Sequence, residues 1–198
     1  MNNTTSNIEE VLLATDFTVG KYRELLARKD SNCLAEFLYQ RFSERYIDLI
    51  SNDKDKKNGF GMMALCCLMI ESLECFHQGL CDTKKKGEGV RVFGDFFKRN
   101  SEFHIFQPIH DDFYYNVRCG ILHQAETLNG WKIRRDCEVL FDSSSKTIDA
   151  NKFQSSLKRA LQEYKTQLKE SNWDSEIWNK FRNKMDCIIK NCKQPLTP

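Results

Sequence analysis

Long apolar runs and a strong net charge are both missing from this sequence. Its 198 residues carry a net charge of only +2, so any nucleic-acid contact needs a local basic patch. The most apolar run, residues 59–70, is shorter than the ~20 residues that cross a bilayer. The start of the chain has no signal-peptide pattern. These absences predict a cytoplasmic protein without membrane contact.

Proline and glycine are also scarce, with three and nine copies, while 40% of the residues are hydrophobic. Such a chain has little room for disorder and enough length to bury one core. We expect a single domain over residues 1–198, frayed at about 1–8 and 194–198.

Metal and cofactor motifs are missing too. The chain has no HExxH motif, glycine-rich phosphate loop or nucleophile elbow, and His77 lacks a second ligand at metal spacing. Nine cysteines form no CxxC pair, and an odd number does not suit a disulfide framework. The sequence therefore predicts free thiols in a reducing cytosol, no metal and no cofactor.

Apolar residues recur at helical spacing through most of the chain. The pattern predicts a first strong helix at about 32–51, an apolar second helix near 60–80, and later helices near 92–98, 109–125, 151–170 and 174–192. Short pieces between residues 131 and 150 favour a small β-hairpin or three-stranded meander. The expected fold is mainly α, an up-and-down helical bundle with this β insertion between late helices.

The stretch FYYNVRCGILHQAETLNGW combines a core helix with two polar residues. On an ideal helix Phe113, Tyr114, Val117 and Ile121 share one face, and Arg118 and His123 lie about 140° apart elsewhere. Between them lies a half-apolar strip of Tyr115, Cys119 and Leu122. This second face predicts contact with another subunit, and Gly120 would permit close approach of a backbone or ligand.

Spacing alone also suits a surface arginine and a histidine that caps a helix end. The segment RCGILH, however, resembles the Arg-x4-6-His motif of the HEPN superfamily, many of whose members are dimeric, metal-independent ribonucleases. The order of helices over about residues 32–170 is similar to that of small bacterial HEPN proteins. The resemblance implies an endoribonuclease with a defence or toxin role, which cuts RNA through 2′-hydroxyl attack in a homodimer cleft.

The same resemblance assigns the residues. Arg118 would stabilise the phosphate, and His123 would transfer protons or orient the phosphodiester. We name four supporting candidates, Tyr115, Asn116, Cys119 and Glu74, the last as a residue that orients Arg118 or His123. Lys84, Lys85 and Lys86 are candidates for RNA contact.

Each of these residues has a plainer interpretation, since Glu74 also suits a polar helix edge and the lysines suit a solvated loop. Active HEPN members often carry Asn, Asp or His after the arginine, whereas this chain has Cys119. That difference favours the alternative of a non-catalytic module for RNA binding or protein interaction. A third alternative is a purely structural bundle. The implied partners are RNA, a second copy of the chain and a cognate antitoxin or defence protein.

Overall fold

Helices make up most of the chain, as the spacing of its apolar residues predicts. The computed structural model describes residues 7–49 and 58–192. The α-helices are α1 (Val19–Ala27), α2 (Ser31–Phe42), α3 (Gly59–Gln78), α4 (Glu88–Arg99), α5 (His110–Phe113), α6 (Gly120–Gln124), α7 (Ala150–Glu170) and α8 (Glu176–Cys192). The mainly α class is confirmed, and the HEPN-specific arrangement stays a prediction. Of the segments expected to be frayed, about 1–8 and 194–198, residues 1–6 and 194–198 lie outside the described residues, whereas Asn7 caps a 3₁₀-helix that begins at Ile8.

The apolar helix α3 lies at the centre of the fold, where it contacts α4, α7, α8 and the segment 110–124. Among the described residues α3 alone is long and apolar enough to cross a membrane, but 56% of its most apolar window is buried inside the protein. A helix buried in the core of a protein can be as long and as apolar as a helix that crosses a membrane, so length and composition do not distinguish the two. Its C-terminus is closed by Gly79, whose φ of 72° is left-handed.

Helix ends depart from the predictions in two places. The helix expected at 32–51 is α-helical only to Phe42 and continues as a π-helix over Ser43–Ile47, while residues 50 and 51 lie outside the described part. Helix α4 is longer than the predicted 92–98, and a 3₁₀-helix, Ser101–Ile109, follows it. Buried phenylalanines from α4, this 3₁₀-helix and α7 pack edge-to-face, which fixes that side of the core.

The segment 110–124 is one continuous helix with an irregular middle. It begins as α5, widens into a π-helix over Tyr114–Cys119 and ends as α6. In a π-helix the backbone hydrogen bonds join residues i and i+5. The angle of 100° per residue used to place Arg118 and His123 on an ideal α-helix therefore does not hold for this segment. Phe113, Val117 and Ile121 are nevertheless buried, as predicted for the core face, whereas Tyr114, predicted for the same face, is only partly buried.

Two small sheets complete the fold. The N-terminal pair, β1 (Leu12–Ala14) and β2 (Phe17–Thr18), was not predicted. The sheet between α6 and α7 has three strands, β3 (Lys132–Arg134), β4 (Phe141–Asp142) and β5 (Thr147–Asp149), in the order β3-β5-β4. The antiparallel β4–β5 hairpin confirms one expectation. A meander is wrong, because β3 pairs with β5 in parallel.

The expectation of free thiols throughout is wrong for one pair. Cys81 and Cys187 form a disulfide, with Cα atoms 5.4 Å apart, while the other seven cysteines are free. The loop after α3 folds back on α8, where the Lys184 ammonium donates to the Cys81 carbonyl at 2.7 Å. Packing of this loop, which no local sequence pattern specifies, brings the two cysteines together.

Candidate functional site

Arg118 lies between the segment 110–124 and α3, with most of its side chain buried. Its Nη2 donates to the Glu71 carboxylate at 2.9 Å, and the two side chains are only 17% and 15% exposed. The Thr83 hydroxyl donates to the other oxygen of Glu71. Burial is the largest single influence and lowers the pKa of Arg118, but the charge and hydrogen bond of Glu71, together with Tyr114 and Cys119, outweigh it, so the pKa is raised and the guanidinium stays charged.

The remaining contacts of Arg118 come from its own helix. Its guanidinium carbon lies 5.3 Å from the centre of the Tyr114 ring, within reach of a cation–π interaction. Nη1 has only the Cys119 sulfur, at 4.0 Å, as a partner, and the buried Nε has none among the described residues. The Tyr114 hydroxyl packs against Gly89 of α4. A Cβ at Gly89 would lie 2.4 Å from this oxygen, so the contact requires a glycine there.

His123 lies in the last turn of α6 and is exposed. Within the described part of the chain it makes no hydrogen bond or ion pair, in contrast to Arg118. Tyr115 is also exposed, at 57%, and its ring stands at right angles to that of Tyr114. The second face of the helix is therefore open: it carries an exposed imidazole, an exposed aromatic ring and a partly exposed thiol, Cys119.

Gly120 explains how the chain turns after this helix. A Cβ at Gly120 would lie 2.5 Å from the Glu126 carbonyl oxygen, too close for any side chain. The close backbone approach expected at this glycine is thus made by the chain itself. It lets residues 125–131 double back along the helix, beginning with Ala125 at a φ of 56°.

Asn116 belongs to the framework that holds this returning loop. It is buried, its amide donates to the carbonyl and carboxylate of Asp112 at 2.9 and 2.6 Å, and its carbonyl accepts from Asn129 at 2.7 Å. Asp112 also accepts from the Trp131 indole at 3.0 Å. Every polar atom of the Asn116 side chain is engaged in these contacts, so its role is to anchor the loop.

Glu74 lies near the site but contacts another arginine. Its fully buried carboxylate pairs with Arg99 of α4 at 2.7 Å and accepts from Gln78 at 2.8 Å. The expectation that Glu74 orients Arg118 or His123 is therefore wrong, because its carboxylate is engaged by Arg99 and Gln78, and Glu71, one turn earlier on α3, is the acid that faces Arg118. The sequence offered one signal for Glu71, its position on the same helical face as Glu74.

The lysine loop lies beside Arg118. Lys84, Lys85 and Lys86 are all exposed and follow Thr83, whose hydroxyl reaches Glu71. The nearest acid in the loop, Asp82, accepts from the Lys84 backbone at 3.0 Å. The Lys84 ammonium also pairs with Asp82 at 3.5 Å, and the loop is connected to the Arg118 ion pair through Thr83 and Glu71.

The histidine on α3 has a structural environment. His77 is buried against the Tyr164 ring, with 4.0 Å between ring centres, and burial lowers its pKa to about 3. Across residues 7–49 and 58–192, no group of three His, Cys, Asp or Glu side chains is placed to hold a metal ion.

Comparison with known proteins adds no relative. No family model, no curated protein and no solved structure matches the chain. Membership of the HEPN superfamily therefore stays a prediction from the motif and the helix order.

Proposed function

We propose that this chain is a metal-independent endoribonuclease of the HEPN type, active as a homodimer in a defence or toxin role. The observation that carries the proposal is the segment 110–124, which holds a charged Arg118 against Glu71 and, in the last turn of α6, an exposed His123 that makes no hydrogen bond or ion pair within the described residues. Tyr115, 57% exposed on the same segment, adds an aromatic ring to this surface.

The chemistry requires a base, an acid and a cation. An unprotonated imidazole takes the proton of the ribose 2′-hydroxyl, whose oxygen attacks the adjacent phosphorus. The protonated imidazole of a second copy donates its proton to the departing 5′-oxygen. Arg118 stabilises the extra negative charge on the phosphorus centre, with Nη1 directed to a phosphate oxygen and Nη2 held by Glu71. The products are a 2′,3′-cyclic phosphate and a 5′-hydroxyl, with every proton accounted for.

A second copy of the chain supplies the second imidazole, and exposed apolar side chains support this pairing. Leu68 on α3 is 39% exposed and Tyr115 on the Arg118 helix is 57% exposed. The Glu71–Arg118 ion pair joins these same two elements. Exposed apolar side chains around a polar centre are typical of subunit interfaces.

The alternative function is a non-catalytic module that binds RNA or a protein partner. Two observations favour it: Glu71 already neutralises the Arg118 charge, and Cys119 supplies only a weak hydrogen bond at a position where active HEPN members often have a polar side chain. In this case the exposed face would bind a ligand without cutting it.

Cleavage by the purified full-length chain in excess chelator tests the proposal. We expect a single-stranded RNA to be cut by the native chain, and Arg118→Ala or His123→Ala to reduce the rate at least a hundredfold, in line with general acid–base and electrostatic contributions of about 10² or more. His104→Ala is the matched control, since His104 is also exposed but lies on the 3₁₀-helix. Equal rates for the His123 and His104 variants would contradict the proposal.

The dimer is tested separately by light scattering. We expect Leu68→Glu and Tyr115→Glu to convert a dimer into a monomer and to abolish cleavage. Ile105→Glu changes an equally exposed apolar residue outside this face and should leave the dimer intact. If the native chain is a monomer at the concentration used in the cleavage assay, the proposal of a site shared by two subunits is wrong.

A further inference from the structure

The loop between α3 and α4 is tied to α8 at several positions. Cys81 forms the disulfide with Cys187, with Cα atoms 5.4 Å apart, and its carbonyl accepts from the buried Lys184 ammonium at 2.7 Å. Where the loop leaves α3, a Cβ at Gly79 would lie 3.1 Å from the Lys180 Cα. The three residues of α8 in these contacts follow one another at spacings of about one helical turn, so the loop runs along one face of α8.

The same loop holds the acid that faces Arg118. Thr83 donates its hydroxyl to one oxygen of the Glu71 carboxylate, and Arg118 donates to the other. Thr83 lies two positions after Cys81 in the sequence, and two residues of extended chain span at most about 7 Å. Fixing Cys81 on α8 therefore confines Thr83 to the neighbourhood of Glu71.

Few contacts hold this part of the loop. Within the described ranges, three covalent or hydrogen-bonding contacts join residues 81–84 to other elements: the disulfide, the Lys184 hydrogen bond and the Thr83 hydrogen bond. The pair of Lys84 with Asp82 stays inside the loop. Segments with few contacts open at a low cost in free energy, so loss of the disulfide should loosen the loop while the core remains folded.

The disulfide is accessible to a reductant. Cys81 is exposed and Cys187 is half-buried, and thiol–disulfide exchange requires access of a thiolate to one of the two sulfurs. The other seven cysteines are free thiols, which suits a reducing compartment. Disulfides in such compartments are usually transient, with catalytic or redox-sensing roles. The bond is thus placed to form and break in the folded chain.

We propose that the Cys81–Cys187 disulfide is a redox switch for the Arg118 site. In the oxidised chain Thr83 is held on Glu71, which positions the Arg118 guanidinium. In the reduced chain the loop is released and Glu71 loses this support. The effect on cleavage rests on the proposed ribonuclease function, whereas the change in the loop does not.

Reduction by a dithiol balances as thiol–disulfide exchange. One thiolate of the dithiol attacks the Cys81 sulfur, which gives a mixed disulfide and releases Cys187 as a thiolate that takes up a proton. The second thiolate attacks the dithiol sulfur of the mixed disulfide and releases Cys81, which is protonated in turn. Two electrons pass from the dithiol, which ends as a cyclic disulfide, to the two cysteines.

Hydrogen–deuterium exchange of the full chain, without nucleic acid, tests the loop. The oxidised chain is compared with the chain reduced by dithiothreitol, and glutathione disulfide then reoxidises it. We expect amide exchange in residues 80–87 to become at least roughly threefold faster on reduction and to return on reoxidation, with α7 unchanged. The double variant Cys81→Ser, Cys187→Ser should exchange like the reduced chain in both conditions. The matched control Cys33→Ser, Cys192→Ser removes two exposed free thiols and should keep the response.

Cleavage of a single-stranded RNA in excess chelator tests the connection to Arg118. We expect the reduced chain and the Cys81→Ser, Cys187→Ser variant to cut roughly three- to tenfold more slowly, the effect of losing about one hydrogen bond. Thr83→Val removes the hydroxyl and keeps the shape of the side chain. It should slow the oxidised chain by a similar factor, and dithiothreitol should then slow it no further.

A response of both the loop exchange and the cleavage rate supports the proposal. If the chain cuts no RNA in either state and the loop still responds, the ribonuclease function is refuted and the redox-dependent loop stands. Equal cleavage rates in the two states of an active chain overturn the switch, as does equal exchange of the loop. Faster exchange throughout α7 on reduction also overturns it, because the disulfide would then hold the whole fold together.

Discussion

Replacing Glu71 by glutamine keeps the size of the side chain and removes the charge that faces Arg118. At an N···O distance of 2.9 Å the bare Coulomb attraction is about 6 kcal/mol for an effective dielectric constant of about 20. Desolvation of both groups offsets most of this attraction. Because the side chains are only 17% and 15% exposed, screening by water is incomplete. We therefore expect a coupling free energy of about 1–3 kcal/mol.

A double-mutant cycle measures this coupling. The free energy of unfolding in urea is determined for the native chain, Glu71→Gln, Arg118→Gln and the double variant, followed by circular dichroism. Arg134 and Asp136 form a matched exposed pair, 61% and 66% exposed, and the same cycle on them should give less than about 1 kcal/mol. A Glu71–Arg118 coupling below about 0.3 kcal/mol would refute the ion pair as the group that positions Arg118.

Three further predictions concern the framework of the site. Gly120→Ala should destabilise the chain by about 1–3 kcal/mol, seen as a lower urea midpoint, because its Cβ would lie 2.5 Å from the Glu126 carbonyl oxygen; an unchanged midpoint would contradict that packing. Burial lowers the pKa of His77 from 6.5 to about 3, so only the unfolded chain gains a proton as the pH falls between these values, and stability should be lost across that window. His77→Phe should flatten this dependence, and an identical pH profile would count against buried, neutral His77. Alkylation of the unfolded but non-reduced chain should label seven of the nine cysteines, including the buried Cys66, Cys67 and Cys75, and spare Cys81 and Cys187; if these two are labelled, the bond is absent.

The sequence predicted the helices well because periodic apolar residues report burial directly. Phe113, Val117 and Ile121 were expected in the core and are buried. The π-helical turn over Tyr114–Cys119 was not expected, because helical wheels assume a constant angle per residue.

Contacts between segments that are distant in the sequence were harder to predict. Glu71 and Glu74 are three residues apart on one face of α3, and only the positions of Arg99 and Arg118 decide which acid pairs with which arginine. The disulfide joins cysteines 106 residues apart, a pairing that depends on how a loop folds back on α8. The parallel pairing of β3 with β5 likewise depends on the path of the chain between them.

The identity of the RNA ends tests the ribonuclease proposal most directly. A defined RNA is incubated with the native chain in excess chelator, and the products are analysed by mass spectrometry. We expect a 2′,3′-cyclic phosphate on one fragment and a 5′-hydroxyl on the other, with both absent when His123→Ala replaces the native chain. Ends with a 5′-phosphate and 3′-hydroxyl, or the same cyclic products from His123→Ala, would contradict attack by the 2′-hydroxyl at an Arg118 and His123 site.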